Sequence, residues 1–211
     1  MKIYRLVYAK SVLPESSIFI NGDKTKKIPI TFSIYLVEIG KRKILIDAGC
    51  DTMPCFVMQK FYSPAFILRQ IGFSAEDITD VIITHAHHDH IHAVTHFKNA
   101  VIHIQKDEYE KRKKYIPEDF KMNTFENTTT VADKLEVIKI GGHSIGSCIV
   151  KCDNFAFVGD ECYIKDCFQL KIPTGSTVDI EKSRAFVLKY SNSKYKPLLF
   201  HDKSLKTERI I

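Results

Sequence analysis

The sequence lacks any apolar run near the roughly 18 residues that a membrane span requires, so no transmembrane segment is expected. Its opening residues, Met1-Lys2-Ile3-Tyr4-Arg5, lack the basic-then-apolar layout and small-residue cleavage site of a secretory signal. Together these absences predict a cytoplasmic protein. Its six cysteines (Cys50, Cys55, Cys148, Cys152, Cys162 and Cys167) include no CxxC pair, which removes the spacing of a structural zinc knuckle. In a reducing compartment thiols are the default. The six therefore read as small buried apolar residues, with Cys50, Cys55 and Cys162 close to the motifs below. No internal repeat, low-complexity tract or linker occurs, so residues 1–211 are expected to form a single domain.

Charge is not concentrated either. A net charge of +6 over 211 residues is modest and is not gathered into a nucleic-acid footprint. The densest run, Lys106 to Lys114, interleaves acids with bases. Its i,i+4 pairs Asp107–Lys111, Glu108–Arg112 and Glu110–Lys114 predict a solvated helix face. Neither nucleic acid nor a membrane is expected as a partner. What is present, 45% hydrophobic and 27% charged residues, is the composition of a globular chain able to bury a real core.

Hydrophobic patterning predicts a mixed α/β layout. Strands are expected over Ile3–Tyr8, Thr31–Ile39, Lys43–Ile46, Val81–Thr84, Val101–Ile104, Lys134–Ile140 and Pro197–Phe200. Cys148–Cys152 and Phe155–Val158 should form a hairpin around Asp153-Asn154. Residues 9–29, with Pro14, Asn21-Gly22-Asp23 and Pro29, read as a loop or hairpin excursion. Helices are expected from about Pro54 to Ile71 with an interruption at Pro64, from Lys106, and from about Asp179 to Tyr190. Ser74 with Asp77 offers an N-cap signature for a short helix.

Six of the nine histidines fall between His85 and His96. The tract Thr84-His85-Ala86-His87-His88-Asp89-His90 follows the apolar strand Val81-Ile82-Ile83 directly. A casual histidine-rich tract would bind metal weakly. Here a buried strand delivers His85 and His87 to its own end, and the loop then presents Asp89 and His90. Imidazoles and a carboxylate suit Zn²⁺, and the same N/O donors accept iron, manganese or cobalt. Three further candidates stand at strand ends or turns: His143 in Gly141-Gly142-His143-Ser144-Ile145-Gly146, Asp160 after Gly159, and His201 after Leu198-Leu199-Phe200. Singly each could be structural; together they would complete two coordination shells.

With Asp47 in Ile44-Leu45-Ile46-Asp47-Ala48-Gly49 at its head, the series HxHxDH, GH, GD and a late His resembles the metallo-β-lactamase superfamily, over residues from about 31 to 202. The resemblance implies a four-layer αββα sandwich with a dinuclear metal site at one edge of the sheets. Carried over, His85, His87 and His143 would hold one zinc, Asp89, His90 and His201 the second, and Asp160 would bridge them. Asp47 would stand behind the ligands and orient their loop. The implied chemistry is hydrolysis, with a water shared by the two ions made acidic enough to attack a carbonyl. Asp89 and Asp160 are then the carboxylates placed to manage protons.

Within that superfamily the chain looks most like the N-acyl homoserine lactonases. Tyr163 follows Asp160 by three residues, Phe200-His201-Asp202 gives the late HD pair, and Gly72–Ile78, Gln105–Tyr109 and Ile28-Pro29-Ile30 have counterparts there. By that likeness Tyr163 would donate its phenolic hydrogen to a lactone carbonyl. The expected substrate is accordingly a small molecule with a lactone or ester bond. The chain departs from the pattern at His88, at His92-Ala93 where two glycines are usual, at Gly146-Ser147 where relatives often have Gly-His, and in a short segment between Asp47 and His85. These departures spare every expected ligand and bear on substrate identity. Met53, Phe56, Met58, Phe61 and Tyr62 could line an acyl channel, although such a stripe is more often core.

The alternatives are another small hydrolase of this fold, acting on a thioester, a phosphodiester or another ester, or a metal-binding sensor without catalysis. Secreted β-lactamases use cysteine or serine where Asp160 stands. A glutathione thioesterase would need a helical region beyond the ten residues after His201. Flavodiiron enzymes carry Glu where His87 sits, and nuclease members carry a large extra domain. A decayed sensor would be expected to have lost a ligand.

Overall fold

A computed structural model describes residues 1–54 and 57–211. Cys55 and Phe56 lie outside the described residues. Strands β1 (Lys2–Pro14) and β2 (Lys27–Ile39) pair antiparallel along their whole length, from Lys2 opposite Glu38 to Pro14 opposite Lys27. The short helix α1 (Glu15–Ile18) and a turn connect them. Residues 9–29 thus take the hairpin form of the expected loop or hairpin excursion, with 9–14 and 27–29 belonging to β1 and β2. Pro29 does not interrupt β2, because the alternate N–H groups after it, on Thr31 and Ser33, point away from β1 to the carbonyls of Asp202 and Phe200. The missing proline N–H belongs to that outward row and costs the β1 ladder nothing.

The chain continues through β3 (Arg42–Ile46), α2 (Pro64–Gln70), β4 (Asp80–Ile83), α3 (His88–Ile91), β5 (Val101–Gln105), α4 (Lys106–Arg112) and β6 (Lys121–Phe125). Then follow β7 (Thr128–Val131), β8 (Leu135–Lys139), β9 (Cys148–Cys152), β10 (Phe155–Phe157), α5 (Lys165–Leu170), α6 (Ile180–Ser191), β11 (Lys196–Leu198) and β12 (Glu208–Arg209). Pro64 opens α2 instead of interrupting a longer helix; its ring presets the first helical φ, and Ser63 before it is extended, with ψ at 138°. Ser74 and Asp77 form the expected capping box on a single 3₁₀ turn. No signal marks β6, β7 or α5 in the sequence, since β6 and β7 are short and half-exposed.

Among the described residues the strands form two sheets, ordered β12-β1-β2-β3-β4-β5-β6 and β11-β10-β9-β8-β7. Strands β3 to β6 run parallel, while β7 to β10 form an antiparallel meander. The period-2 alternation of these strands buries both faces. Tyr35, Val37, Ile44, Ile46 and Ile82 from one sheet meet Val137, Val150, Phe155 and Phe157 from the other in a single apolar layer. The opposite faces, Leu36, Leu45, Val81 and Ile102 on one side and Ile149 and Ala156 on the other, join a cluster with Ile67 and Leu68 of α2 and Phe186 and Val187 of α6. This is the αββα sandwich. Cys50, Cys148, Cys152, Cys162 and Cys167 are buried free thiols, as expected of small apolar residues. Among the described residues no helix is long and apolar enough to cross a membrane.

The expected solvated face of α4 needs correction. Asp107 pairs with Lys139 of β8 at 2.7 Å and Glu110 with Lys113, whereas Glu108 is 2% exposed. None of the three expected i,i+4 ion pairs forms among the described residues: tertiary partners take Asp107 and Glu108, and Glu110 pairs at i,i+3.

Candidate metal centre

Polar side chains converge where both sheets end. From the first sheet, β4 runs out through Thr84 into His85, Ala86 and His87, and α3 then carries Asp89 and His90 in its only turn. From the second, the turn after β8 presents His143, a 3₁₀ turn after β10 presents Asp160, and the segment after β11 presents His201. That last segment is held beside β2 by the Thr31 and Ser33 bonds described above.

The seven side chains fall into two groups, His85, His87, His143 and Asp160, and Asp89, His90 and His201. In the first, His87 Nδ1 lies 3.1 Å from His85 Nε2 and 2.9 Å from His143 Nε2. Asp160 Oδ2 lies 3.6 Å from each of those Nε2 atoms. Its other oxygen, Oδ1, lies 3.2 Å from both His90 Nε2 and His201 Nε2. Asp89 Oδ2 completes the second group at 3.7 and 3.5 Å from those two nitrogens. One carboxylate therefore faces both groups.

The donor set fits divalent cations. Donors arranged tetrahedrally about 2.0–2.1 Å from a zinc ion lie roughly 3.3 Å apart, which is the spacing seen here. His90 Nε2, His201 Nε2 and Asp160 Oδ1 are buried without a hydrogen-bond partner, and a buried polar atom so orphaned calls for a ligand. The opposite ring nitrogens are engaged. His90 Nδ1 donates to Asp47 Oδ2 at 2.6 Å, His201 Nδ1 to the Thr31 carbonyl at 3.0 Å, and His143 Nδ1 to the Ser176 carbonyl at 2.5 Å. Those bonds fix the tautomer that turns Nε2 inward with its lone pair free.

Burial holds the imidazoles of His85 and His87 below the ordinary range and that of His143 down at about 4, a neutral state suited to ligation. His90 and His201 go the other way: burial opposes their charge, but the carboxylates of Asp160 and Asp89, with Asp47 beside His90, together outweigh it. Burial likewise opposes charge on Asp160, yet His90, His201 and His85 keep it ionised.

Asp47, directly after β3, adopts the left-handed region, at a φ of 62°, a conformation aspartate tolerates better than most residues. Its carboxylate thereby turns toward the end of β4 and accepts from Thr84 N at 2.7 Å and Thr84 Oγ1 at 2.8 Å as well as from His90. Tyr163 is buried, its ring stacked on His201 at 5.1 Å, and burial with the nearby Asp160 charge pushes its phenol well up, so it keeps its proton. A cavity of about 270 Å³ opens over the cluster between Leu13, Phe32 and Met53, with Asp89, Tyr163 and His201 at its floor. Among the described residues that line it, none is a Lys or Arg. Met58 and Phe61 pack against the core, and Tyr62 is exposed against Phe66. His88 and His92 lie close together, ring centroids 4.3 Å apart and tilted by 31°, beside Tyr115.

Two carboxylates escaped the sequence reading. Glu161, next to Asp160, accepts from Gly142 N, His143 N and Ser147 Oγ at 3.1, 3.2 and 2.5 Å, and burial pushes it up to about 7. Glu108 accepts from Ala86 N, Ser144 Oγ and Gly146 N at 2.8, 2.7 and 2.8 Å. The Ser147 hydroxyl thus meets a carboxylate.

The family model described as the metallo-beta-lactamase superfamily matches residues 33–200. A probable metallo-hydrolase of Methanocaldococcus jannaschii is 30% identical over 138 residues, 64% of this chain, and the match spans 59% of that relative's length. An N-acyl homoserine lactonase of Bacillus cereus is 24% identical over 240 aligned positions, 99% of this chain and 95% of the relative. The crystal structure of a Bacillus thuringiensis AiiA variant with N-decanoyl-L-homoserine bound at its active site superposes with a TM-score of 0.84 at 20% identity, covering 95% of this chain and 93% of that one.

Proposed function

Because the chain belongs to the metallo-β-lactamase superfamily, we propose that it is a dinuclear zinc hydrolase that opens a lactone or ester bond, in the manner of the N-acyl homoserine lactonases. The observation that carries this reading is the division of Asp160, one oxygen toward each group of histidines, with an apolar cavity directly above. His85, His87 and His143 would hold one ion, Asp89, His90 and His201 the other, and Asp160 both. Two bound zinc ions would supply a shared water acidified toward neutral pH and a Lewis acid for the substrate carbonyl.

The chain's own residues do the rest. Leu13, Phe32 and Met53 give an apolar wall for the acyl part of a substrate, and the absence of Lys or Arg from that lining favours a neutral ester over a phosphodiester. Tyr163 Oη retains its proton and donates to the carbonyl oxygen as negative charge develops there. When the C–O bond breaks, the leaving alkoxide takes a proton. Asp89 would carry it over from the attacking water, whose proton is released as the new carboxylate forms, since its carboxylate borders the cavity and is 16% exposed, whereas Asp160 is enclosed between imidazoles.

The test is a substrate panel of acyl homoserine lactones, simple lactones, thioesters and phosphodiesters, run beside metal analysis. Lactone or ester turnover with close to two ions per chain is expected, and Asp160→Ala should lose both. Lactone turnover that survives Asp160→Ala intact would overturn the mechanism; metal well below two per chain would favour a sensor.

A further inference from the structure

We propose that Glu108 is a positioning residue for the three-histidine half of the metal centre, clamping the His85–His87 turn to the His143 loop. This rests on the reading of that cluster as a metal site. Glu108 Oε2 accepts from the N–H of Ala86, the residue between two of the three histidines. Glu108 Oε1 accepts from Ser144 Oγ and Gly146 N, in the loop that carries the third. The two loops leave different sheets, so the convergence of His85, His87 and His143 on one point depends on how β4 and β8 are held relative to each other. Glu108 sits on α4, whose first turn is itself tied down: Gln105 Oε1 accepts from Asp107 N and Glu108 N.

A second observation supports the clamp independently. A Cβ on Gly146 would stand 2.0 Å from Gln105 Oε1 and 2.7 Å from Glu108 Cγ. The loop backbone is therefore pressed directly onto this side chain, and glycine is what permits the approach.

The bonding pattern requires a carboxylate at position 108. Both of its oxygens accept, so the amide of a glutamine would set an N–H against Ala86 N–H in one orientation and against Gly146 N–H in the other. Glu161 is the natural contrast. All three of its donors converge on Oε1, and Oε2 has no hydrogen-bond partner. A glutamine there can keep every acceptance and leave its NH₂ in the vacant position. Two buried glutamates that hold the same loop thus respond in opposite ways to an isosteric change.

The experiment measures stepwise zinc affinity of the full chain by competition with a chromophoric chelator, and the visible spectrum of the cobalt-loaded protein, for wild type, Glu108→Gln, Glu161→Gln and Ser144→Ala. In Glu108→Gln one of the two ions should bind about 10- to 100-fold more weakly, with a changed cobalt spectrum. Glu161→Gln should weaken binding less than about threefold, because its acceptor oxygen is retained. Ser144→Ala removes one donor and should weaken the same ion by roughly two- to fivefold, which keeps the test alive should Glu108→Gln fold poorly. Equal losses in the two glutamine variants, or wild-type affinity in both Glu108→Gln and Ser144→Ala, would overturn the clamp. A wild-type chain that binds fewer than two ions would instead overturn the metal reading beneath it.

Discussion

Asp80 opens β4 at the end remote from the metal centre, and its carboxylate gathers His103 Nε2–H at 2.8 Å, Thr79 Oγ1–H at 2.7 Å and the guanidinium of Arg42. Burial raises its pKa, but the bonds from His103, Arg42 and Thr79 outweigh that and hold it at about 2 against an ordinary 3.8. A depressed carboxyl contributes stability that is present above the unfolded value and lost as pH falls through the folded one. The full linkage would be about 2.4 kcal/mol; the Arg42 side chain is 42% exposed, so solvent screening brings the expected figure to about 1–2 kcal/mol. Asp80→Asn removes the titration while keeping the shape. Urea unfolding followed by far-ultraviolet circular dichroism, with chelator present, should therefore show wild type more stable than the variant at pH 5. That advantage should shrink by about 0.5–1 kcal/mol at pH 3, where roughly half the linkage is gone. Any effect of the substitution that does not depend on protonation cancels between the two pH values. A difference that stays constant or widens toward pH 3 would show that the Asp80 bonds do not hold its proton off.

Three further outcomes are expected at the site. Tyr163→Phe should lower kcat on a responsive lactone about 10- to 100-fold with KM changed less than about threefold, because it removes a donor to developing charge and little ground-state contact; steady-state kinetics with unaltered kcat would remove Tyr163 from the chemistry. Asp47→Asn retains a residue that tolerates the left-handed backbone but sets an amide among three donors, and should weaken metal about 10- to 100-fold in chelator competition. Retention within twofold would mean that Asp47 merely ties the strands. Prolonged chelation should abolish turnover and added zinc restore it, with the metal-free chain still folded by circular dichroism; activity that persists after metal analysis reads zero would rule out the proposed chemistry.

The parts of this centre differ in how openly the sequence carries them. His85, His87, Asp89 and His90 stand together after an apolar strand, so one short window announces both their number and their placement. His143, Asp160 and His201 are unremarkable in their own windows, and only their order along the chain, following Asp47, drew them together. The fold then explains that order, because each closes a strand that ends on the same side of the sandwich. Pro29 suggests a loop or hairpin excursion and Pro64 a helix interruption, yet one falls in the outward N–H row of β2 and the other at the first position of α2. Both are sites where proline's missing donor costs nothing, a property of hydrogen-bond partners that no local pattern reports.

Glu108 and Glu161 mark the deeper limit. A charged residue within a charged helix is assigned to solvent because burying it alone is expensive. What makes the burial tolerable here is a set of backbone N–H groups, those of Ala86, Gly146, Gly142 and His143, aided by two serine hydroxyls. Backbone donors belong to every residue except proline and so leave no trace in composition or spacing. A metal ligand is legible because its partners are themselves side chains of restricted type. A carboxylate that organises those ligands through main-chain bonds is not, and it becomes visible only when the loops it joins are folded around it.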